Sequence, residues 1–270
     1  MPEDRISPER RAYLLQRKRQ ARKIRLLRVL LLVVFLLQWE ITARLGVVDA
    51  FIVSAPGRIV KTLVGMAQSG DLWLHLGTSV METVIGFSLG TLLGVSLAVL
   101  LWCSKTLSKV LEPYLVVLNA LPKTALGPIF IVWIGAGTGA IIAMTIAISV
   151  FVTILSVYAA FCETDAEKIR LLQTFGASRW QTLYTLVIPG SYGALFNALR
   201  VNVGLAWVGV IMGEFLVSKA GLGYLIVYGS QVFNMDLVMA SVLLLAAAAV
   251  LMYEAVLVLE RGLKRKMGVN

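Results

Sequence analysis

The sequence predicts an all-α fold: a polytopic helical membrane protein with about six transmembrane helices and a two-helix cytoplasmic loop between spans 4 and 5. Three observations predict it. Of the 270 residues, 59% are hydrophobic and 15% charged, against roughly 25% charged in an ordinary soluble domain, and mean hydropathy is +0.84. A soluble fold of this size has too little interior for so many apolar side chains. The uncharged runs are also long, at 83–104 (22 residues), 124–162 (39) and 237–253 (17), where a membrane-spanning helix needs about 20 mostly apolar residues. Finally, the net charge of +10 is gathered at the ends. Ten of 25 Lys+Arg fall in residues 1–28, and Arg261, Lys264, Arg265 and Lys266 follow the last apolar run. That distribution orients helices by the positive-inside rule and does not suit a nucleic-acid groove. Disordered, collagen-like and disulfide-rich classes are excluded by the same numbers, as is a soluble enzyme.

The elements follow in order. Residues 1–25 form a basic cytoplasmic or interfacial segment expected to lie against the inner leaflet. The apolar run after it lacks a small-x-small cleavage pattern and further spans follow, so it reads as an uncleaved anchor. Span 1 covers about 26–48, with Glu40 and Arg44 one helical turn apart and able to neutralise each other. Residues 49–77 form an outside segment broken by Pro56, Gly57 and Gly70, with a short helix around 58–68. Span 2 is about 78–102. Span 3, about 110–134, carries Pro113, Pro122 and Pro128 and must be kinked or broken. The GAGTG at 135–139 turns the chain into span 4, about 140–161. After the loop 162–189 come span 5 (190–216), an outside loop (217–235) and span 6 (237–259), so the membrane domain is 26–260 and the basic tail 261–270. With the N-terminus inside, the cytoplasmic segments hold 19 of the 25 basic residues, and six spans return both termini to the cytoplasm.

Span 2 shows how the helices pack. Gly86, Gly90, Gly94 and Ala98 recur every four residues and make a smooth ridge, and Gly209 with Gly213 repeats the device in span 5. Small residues let membrane helices approach closely where no hydrophobic drive joins them. Cys103 and Cys162 sit at cytoplasmic span ends and read as reduced thiols. The single histidine, His75, has no Cys or His companions, so no metal site is suggested.

The loop 162–189 is too structured for a passive connector. Thr164 with Glu167 is a capping-box pattern opening a helical stretch to Phe175. Gly176 stands where a left-handed helix terminator belongs. Ser178 with Gln181 makes a second capping box, and the next helix carries Trp180, Leu183, Tyr184, Val187 and Ile188 as one apolar stripe, ended or bent at Pro189-Gly190. Two short capped helices joined by a glycine form a compact knob, whose blander reading is a re-entry loop resting on the bilayer.

The stretch GASRWQTLYTLVIPGSYGALFNALRVNVGLAW resembles the conserved EAA loop and following span of ABC importer permeases, with Gly176 and Pro189 at the motif's glycine and proline. The likeness continues in SAPGRIV (54–60), the Ser79–Gly90 stretch, LPKTALGPIFIVWIGAGTG (121–139), GEFLVSKAGLGYLI (213–226) and LER (259–261). The set is similar to the subgroup importing nitrate, taurine, sulfonates, bicarbonate or thiamine pyrimidine precursors. Where that family has its Glu-x-Ala, this chain has Arg170, Leu171 and Leu172.

The resemblance implies a permease subunit in the cell membrane that forms the path for a small anionic or heterocyclic solute. Gly176, Ala177, Ser178, Arg179 and Pro189 would couple it to a separate ATPase dimer. The chain has no G-x-x-x-x-G-K-[ST] loop to cradle phosphates, so no cofactor is expected in it and ATP with Mg would be bound by that partner. A second permease copy and an extracytoplasmic solute-binding protein complete the expected assembly. Path candidates are the polar residues of the middle spans, Ser149, Thr153, Asn197, Arg200 and Asn202, whose bland reading is interhelical hydrogen bonding.

Two alternatives from other classes are weaker. A secondary transporter would use Glu40, Glu82, Glu214 or Glu254 as intramembrane proton relays. Glu40 has Arg44 beside it, and the other three are expected near span ends, which leaves none stranded at mid-depth. A membrane-embedded enzyme would want a paired nucleophile and base, and one histidine without a nearby intramembrane aspartate does not supply it.

Overall fold

The computed structural model describes residues 8–47 and 49–267. Residues 1–7 of the basic N-terminal segment and 268–270 of the tail lie outside the described residues. All regular structure among the described residues is helical. The helices are α1 (Pro8–Arg44), α2 (Ala50–Val53), α3 (Pro56–Ser69), α4 (Asp71–Cys103), α5 (Lys105–Ala120), α6 (Gly127–Ile134), α7 (Thr138–Cys162), α8 (Ala166–Thr174), α9 (Arg179–Thr182), α10 (Ile188–Gly190), α11 (Tyr192–Val217), α12 (Leu222–Gln231) and α13 (Met235–Met267). Five of these are long and apolar enough to cross a membrane, and six spans result if α5 and the turn-plus-helix Lys123–Ile134, bent by 88°, count as one.

The chain divides into two units, residues 1–62 and 63–270. In the first, α1 runs without a break from the basic stretch into the apolar one, because a charge boundary in sequence is no boundary for backbone hydrogen bonding. Glu40 and Arg44 pair at 2.6 Å, and the second Glu40 oxygen accepts the Gly57 N–H at 2.8 Å, which fixes the entry to α3.

In the second unit α7 is the central helix, packed against α4 on one side and α11 on the other. Glycine sets both approaches. A Cβ on Gly86 would fall 2.5 Å from Thr145 Cγ2, one on Gly94 2.5 Å from Thr153 Cβ, and one on Gly90 onto Ser149 Oγ. The pairs rise together, so α4 and α7 run parallel. On the other side, Gly209 faces the Thr145 backbone with a would-be Cβ 2.6 Å from its Cα, and Gly213 faces Ile141 at 3.0 Å, so α11 runs antiparallel to α7. Thr145 is therefore wedged between glycines of two neighbours. Its hydroxyl, and those of Ser149 and Thr153, each donate to the carbonyl four residues back at 2.8–3.0 Å. This leaves the α7 flanks without an unmet donor.

Span 3 is broken, as its prolines predict, and two other elements differ from the sequence expectation. α4 begins at Asp71, seven residues before the expected 78, because the Gly70 backbone at φ +88° starts the helix and His75 and Ser79 find buried partners. Of the three span-3 prolines, Pro122 lies at the bend, whereas Pro113 sits inside α5 and Pro128 in the first turn of α6, where its missing N–H costs nothing. The segment expected as the loop 217–235 contains α12.

Candidate functional site

The knob between α7 and α11 is built by caps. Its first helix is capped one residue later than the sequence pattern suggested: Asp165, not Thr164, accepts the Glu167 N–H at 2.9 Å. The helix then ends as a glycine-closed turn in which Gly176 N–H donates to Gln173 O at 2.9 Å and Ala177 N–H to Leu172 O at 3.0 Å. Gly176 sits at φ +82°, the left-handed region that a side chain strains. Immediately afterwards Ser178 and Gln181 form the reciprocal capping box, with Ser178 N–H on Gln181 Oε1 at 2.7 Å and Gln181 N–H on Ser178 Oγ at 3.3 Å. α9 then widens into a π-turn over Leu183–Val187 before Pro189, whose ring does not fit a regular turn.

The expected apolar stripe divides in two. Leu183 and Val187 are fully buried against Ala98, Val157, Phe161 and Ala198 and root the knob in the bundle. Trp180 and Tyr184 stay exposed, with Phe175 79% exposed at the tip. Two further ties hold the root. Arg179 Nη1 donates to the Cys103 carbonyl at 2.7 Å, and Ser191 Oγ to the Ala160 carbonyl at 3.2 Å. Gly176 to Arg179 thus lie together at the turn, and Pro189 lies at the far end of the second helical segment.

Of the middle-span polar residues, the structure brings three together. Asn202 Nδ2 donates to Thr153 Oγ1 at 2.5 Å and to Thr91 Oγ1 at 3.2 Å, with Ser149 one turn away on α7. Asn202 Oδ1 is buried without a hydrogen-bond partner. Thr91 went unnoticed in the sequence because it stands beside the Gly90–Gly94 ridge as one more small residue. Asn197 is exposed on α11 and apart from this group. Arg200 lies 3.5 Å from the buried Glu260 of α13, which Lys264 also approaches at 2.9 Å. That pairing sets α13 antiparallel to α11, with its C-terminal end at the knob end.

The opposite end holds a cluster that sequence reasoning missed. The first N–H groups of α12, which no helix can satisfy internally, are taken up by other elements. Gly221 N–H donates to His75 Nδ1 at 3.0 Å, Leu222 N–H to Ser79 Oγ at 2.7 Å, and Gly223 N–H to Glu214 Oε2 at 2.5 Å. Ser79 in turn donates to Glu214 Oε1 at 2.5 Å. Glu82 stands next to this cluster. It lies a third of the way along α4 and is fully buried, with neither oxygen in hydrogen-bond geometry, and Thr138 and Glu214 are its polar neighbours. Its expected place near a span end is thereby corrected, since α4 starts earlier than the hydropathy suggested. Only the paired glycines of GLG hinted at α12, and nothing local revealed that its caps come from α4 and α11.

Among the described residues no group of three or more His, Cys, Asp or Glu is placed to hold a metal ion. The chemistry of both clusters is positional: they fix where helices end and how they meet.

Comparison with known proteins agrees with this architecture. Residues 90–269 match the family described as binding-protein-dependent transport system inner membrane component. A Haemophilus influenzae "Probable ABC transporter permease protein" is 33% identical over 232 residues, covering 86% of this chain and 94% of that one. The formylaminopyrimidine transport permease protein of Halalkalibacterium halodurans is 28% identical over 222 residues, covering 82% and 88%. In fold, the chain is similar to a chain of the MetNI methionine ABC transporter in an inward-facing conformation, with TM-score 0.62 at 19% identity over 72% of this chain and 95% of that one. The protein belongs to the family of binding-protein-dependent inner-membrane transport components, the permease subunits of ABC importers.

Proposed function

We propose that the knob is the cytoplasmic coupling element of this importer, lying between spans 4 and 5 with the bent α5–α6 segment as span 3 and both termini in the cytoplasm. Gly176, Ala177, Ser178 and Arg179, with Pro189 closing the second helix, shape it to seat in a groove of a separate ATPase. Two permease copies with two knobs engage an ATPase dimer, which binds ATP and Mg. A solute-binding protein delivers substrate at the opposite end. The observation that carries the reading is the exposed apolar tip: Phe175, Trp180 and Tyr184 are exposed on the glycine-closed turn and the helical segment that follows it, and such a patch suits a covering partner.

The solute is small, and anionic or heterocyclic. The likeness to a permease named for aliphatic sulfonates supports the anionic choice, and that to a permease named for formylaminopyrimidine supports the heterocyclic one. Ser149, Thr153 and Asn202, with Asn197 and Arg200 as the more distant candidates, contribute to the path. Gly86, Gly90, Gly94, Gly209 and Gly213 keep α4, α7 and α11 together as one moving body.

Co-purification tests the coupling role. Phe175→Asp should leave the permease at normal abundance and remove the ATPase from affinity-purified complexes. Full ATPase recovery with this variant would overturn it.

A further inference from the structure

The knob root sorts its charges into two hollows. One contains Glu163, Asp165 and Lys168, and there Lys168 Nζ lies 3.8 Å from Asp165. Its one cation is already paired, and its net charge is negative. The other, of about 370 Å³, lies where α4 and α7 end and α5 begins, and Lys105, Arg170 and Arg179 line it together with Trp102, Tyr158 and Gln173. No carboxylate lines it. Glu112 acts on the Tyr158 hydroxyl from α5 without lining the hollow. Arg179 uses one nitrogen on the Cys103 carbonyl, while Lys105 and Arg170 have no ion-pair partner among the described residues.

The positive-inside rule explains why cations gather at this end. It does not explain their convergence on one concavity, since loops can as easily splay them into water. Three like charges drawn from α5, α8 and α9 repel one another and lower the cost of admitting an anion. The guanidinium forks and the ammonium match phosphate oxygens, and Trp102 and Tyr158 offer flat apolar walls. Basic pockets at the ends of membrane helices suit lipid headgroups.

We infer that this hollow is a binding site for a phosphate-bearing anion, supplied either by an acidic phospholipid headgroup or by a soluble phosphate monoester. The site is built within this one chain, between the knob and the ends of α4, α5 and α7.

Cys162 lines the same hollow and is exposed, so its alkylation reports occupancy. The full-length chain carrying Cys103→Ser is purified in detergent. Maleimide modification of Cys162 is timed in micelles doped with dioleoylphosphatidylglycerol or dioleoylphosphatidylcholine, and separately with glycerol 3-phosphate. Phosphatidylglycerol or glycerol 3-phosphate should slow the reaction at least about threefold, saturably and less so at high salt. Slowing by the lipid alone identifies a headgroup site, and slowing by glycerol 3-phosphate identifies a soluble-ligand site. Lys105→Gln with Arg170→Gln should abolish the effect, and the charge-preserving pair Lys105→Arg with Arg170→Lys should retain it. A reporter in the other hollow, Lys168→Cys with both native cysteines replaced by serine, should not respond. The inference is overturned if neither anion slows the reaction, if phosphatidylcholine acts equally, if the neutral variant keeps full protection, or if the Lys168→Cys reporter slows as much.

Discussion

Gly209→Ala should destabilise the bundle out of proportion to the single methyl it adds. The new Cβ would stand 2.6 Å from Thr145 Cα, well inside the 3.4 Å at which ordinary contact begins, and its neighbour is backbone, which cannot rotate away. Nor can α7 retreat, because Thr145 on its other side already fills the space opposite Gly86, with Cγ2 2.5 Å from where a side chain there would begin. The helices must therefore part by most of an ångström, and overpacking of this kind costs about 2 kcal/mol. A loss of that size lowers a thermal midpoint by on the order of 5 °C in a chain of this length. Gly204 on the same helix is the internal control. An alanine there meets nothing within 4 Å, and the better helix propensity should make it neutral or stabilising by up to about 1 kcal/mol. Melting of the purified variants, followed by tryptophan fluorescence, compares them directly. If Gly209→Ala melts with or above Gly204→Ala, α7 and α11 do not meet as described.

Other consequences are equally open to measurement. Gly176→Val should accumulate normally, since the strain of a side chain at φ +82° is only about 1 kcal/mol or somewhat more, but should lose ATPase recovery and uptake. Gly176→Asn, which tolerates that conformation, should keep both. Glu214→Ala removes the acceptor for Ser79 and for the Gly223 N–H, so hydrogen exchange at Leu222–Tyr224 should accelerate and stability fall by about 1–3 kcal/mol; unchanged exchange there would refute the trans-capping of α12. A double-mutant cycle of Arg200→Ala and Glu260→Ala should return a coupling of about 1 kcal/mol, and zero coupling would mean that Lys264 alone balances Glu260.

What the sequence disclosed was whatever is encoded within a few residues. The Gly176 turn and the Ser178–Gln181 box were legible because a helix end is local chemistry. The first cap was misplaced by one position because Thr164 and Asp165 can both cap, and only the chain's direction out of α7 chooses between them. Helix α12 and the depth of Glu82 were illegible for a different reason. Glu214 is 132 residues from Glu82, and Ser79 and His75 are 143 and 146 residues from the α12 N–H groups they accept, so no short window of sequence contains both halves of the arrangement. Similarly, the pattern of α4 glycines promised close packing but could not say against which helix, since α7 announces itself only by hydroxyls that also suit an ordinary helix.

The pairing of α4 with α7 has the regularity of a toothed rack. Glycine sockets recur every four residues on one helix and small hydroxyl-bearing pegs every four on the other, so the two surfaces mesh again if one slides a single tooth, about 6 Å along the axis. Shape alone therefore does not choose between alignments; the fixed one depends on pins that do not repeat. Asn202 supplies one from α11, gripping Thr91 and Thr153 at once, and the Ser79–Glu214 contact supplies another at the far end. A bundle so constructed slides as a unit or not at all, and its two polar pins, rather than its apolar bulk, set which tooth is engaged.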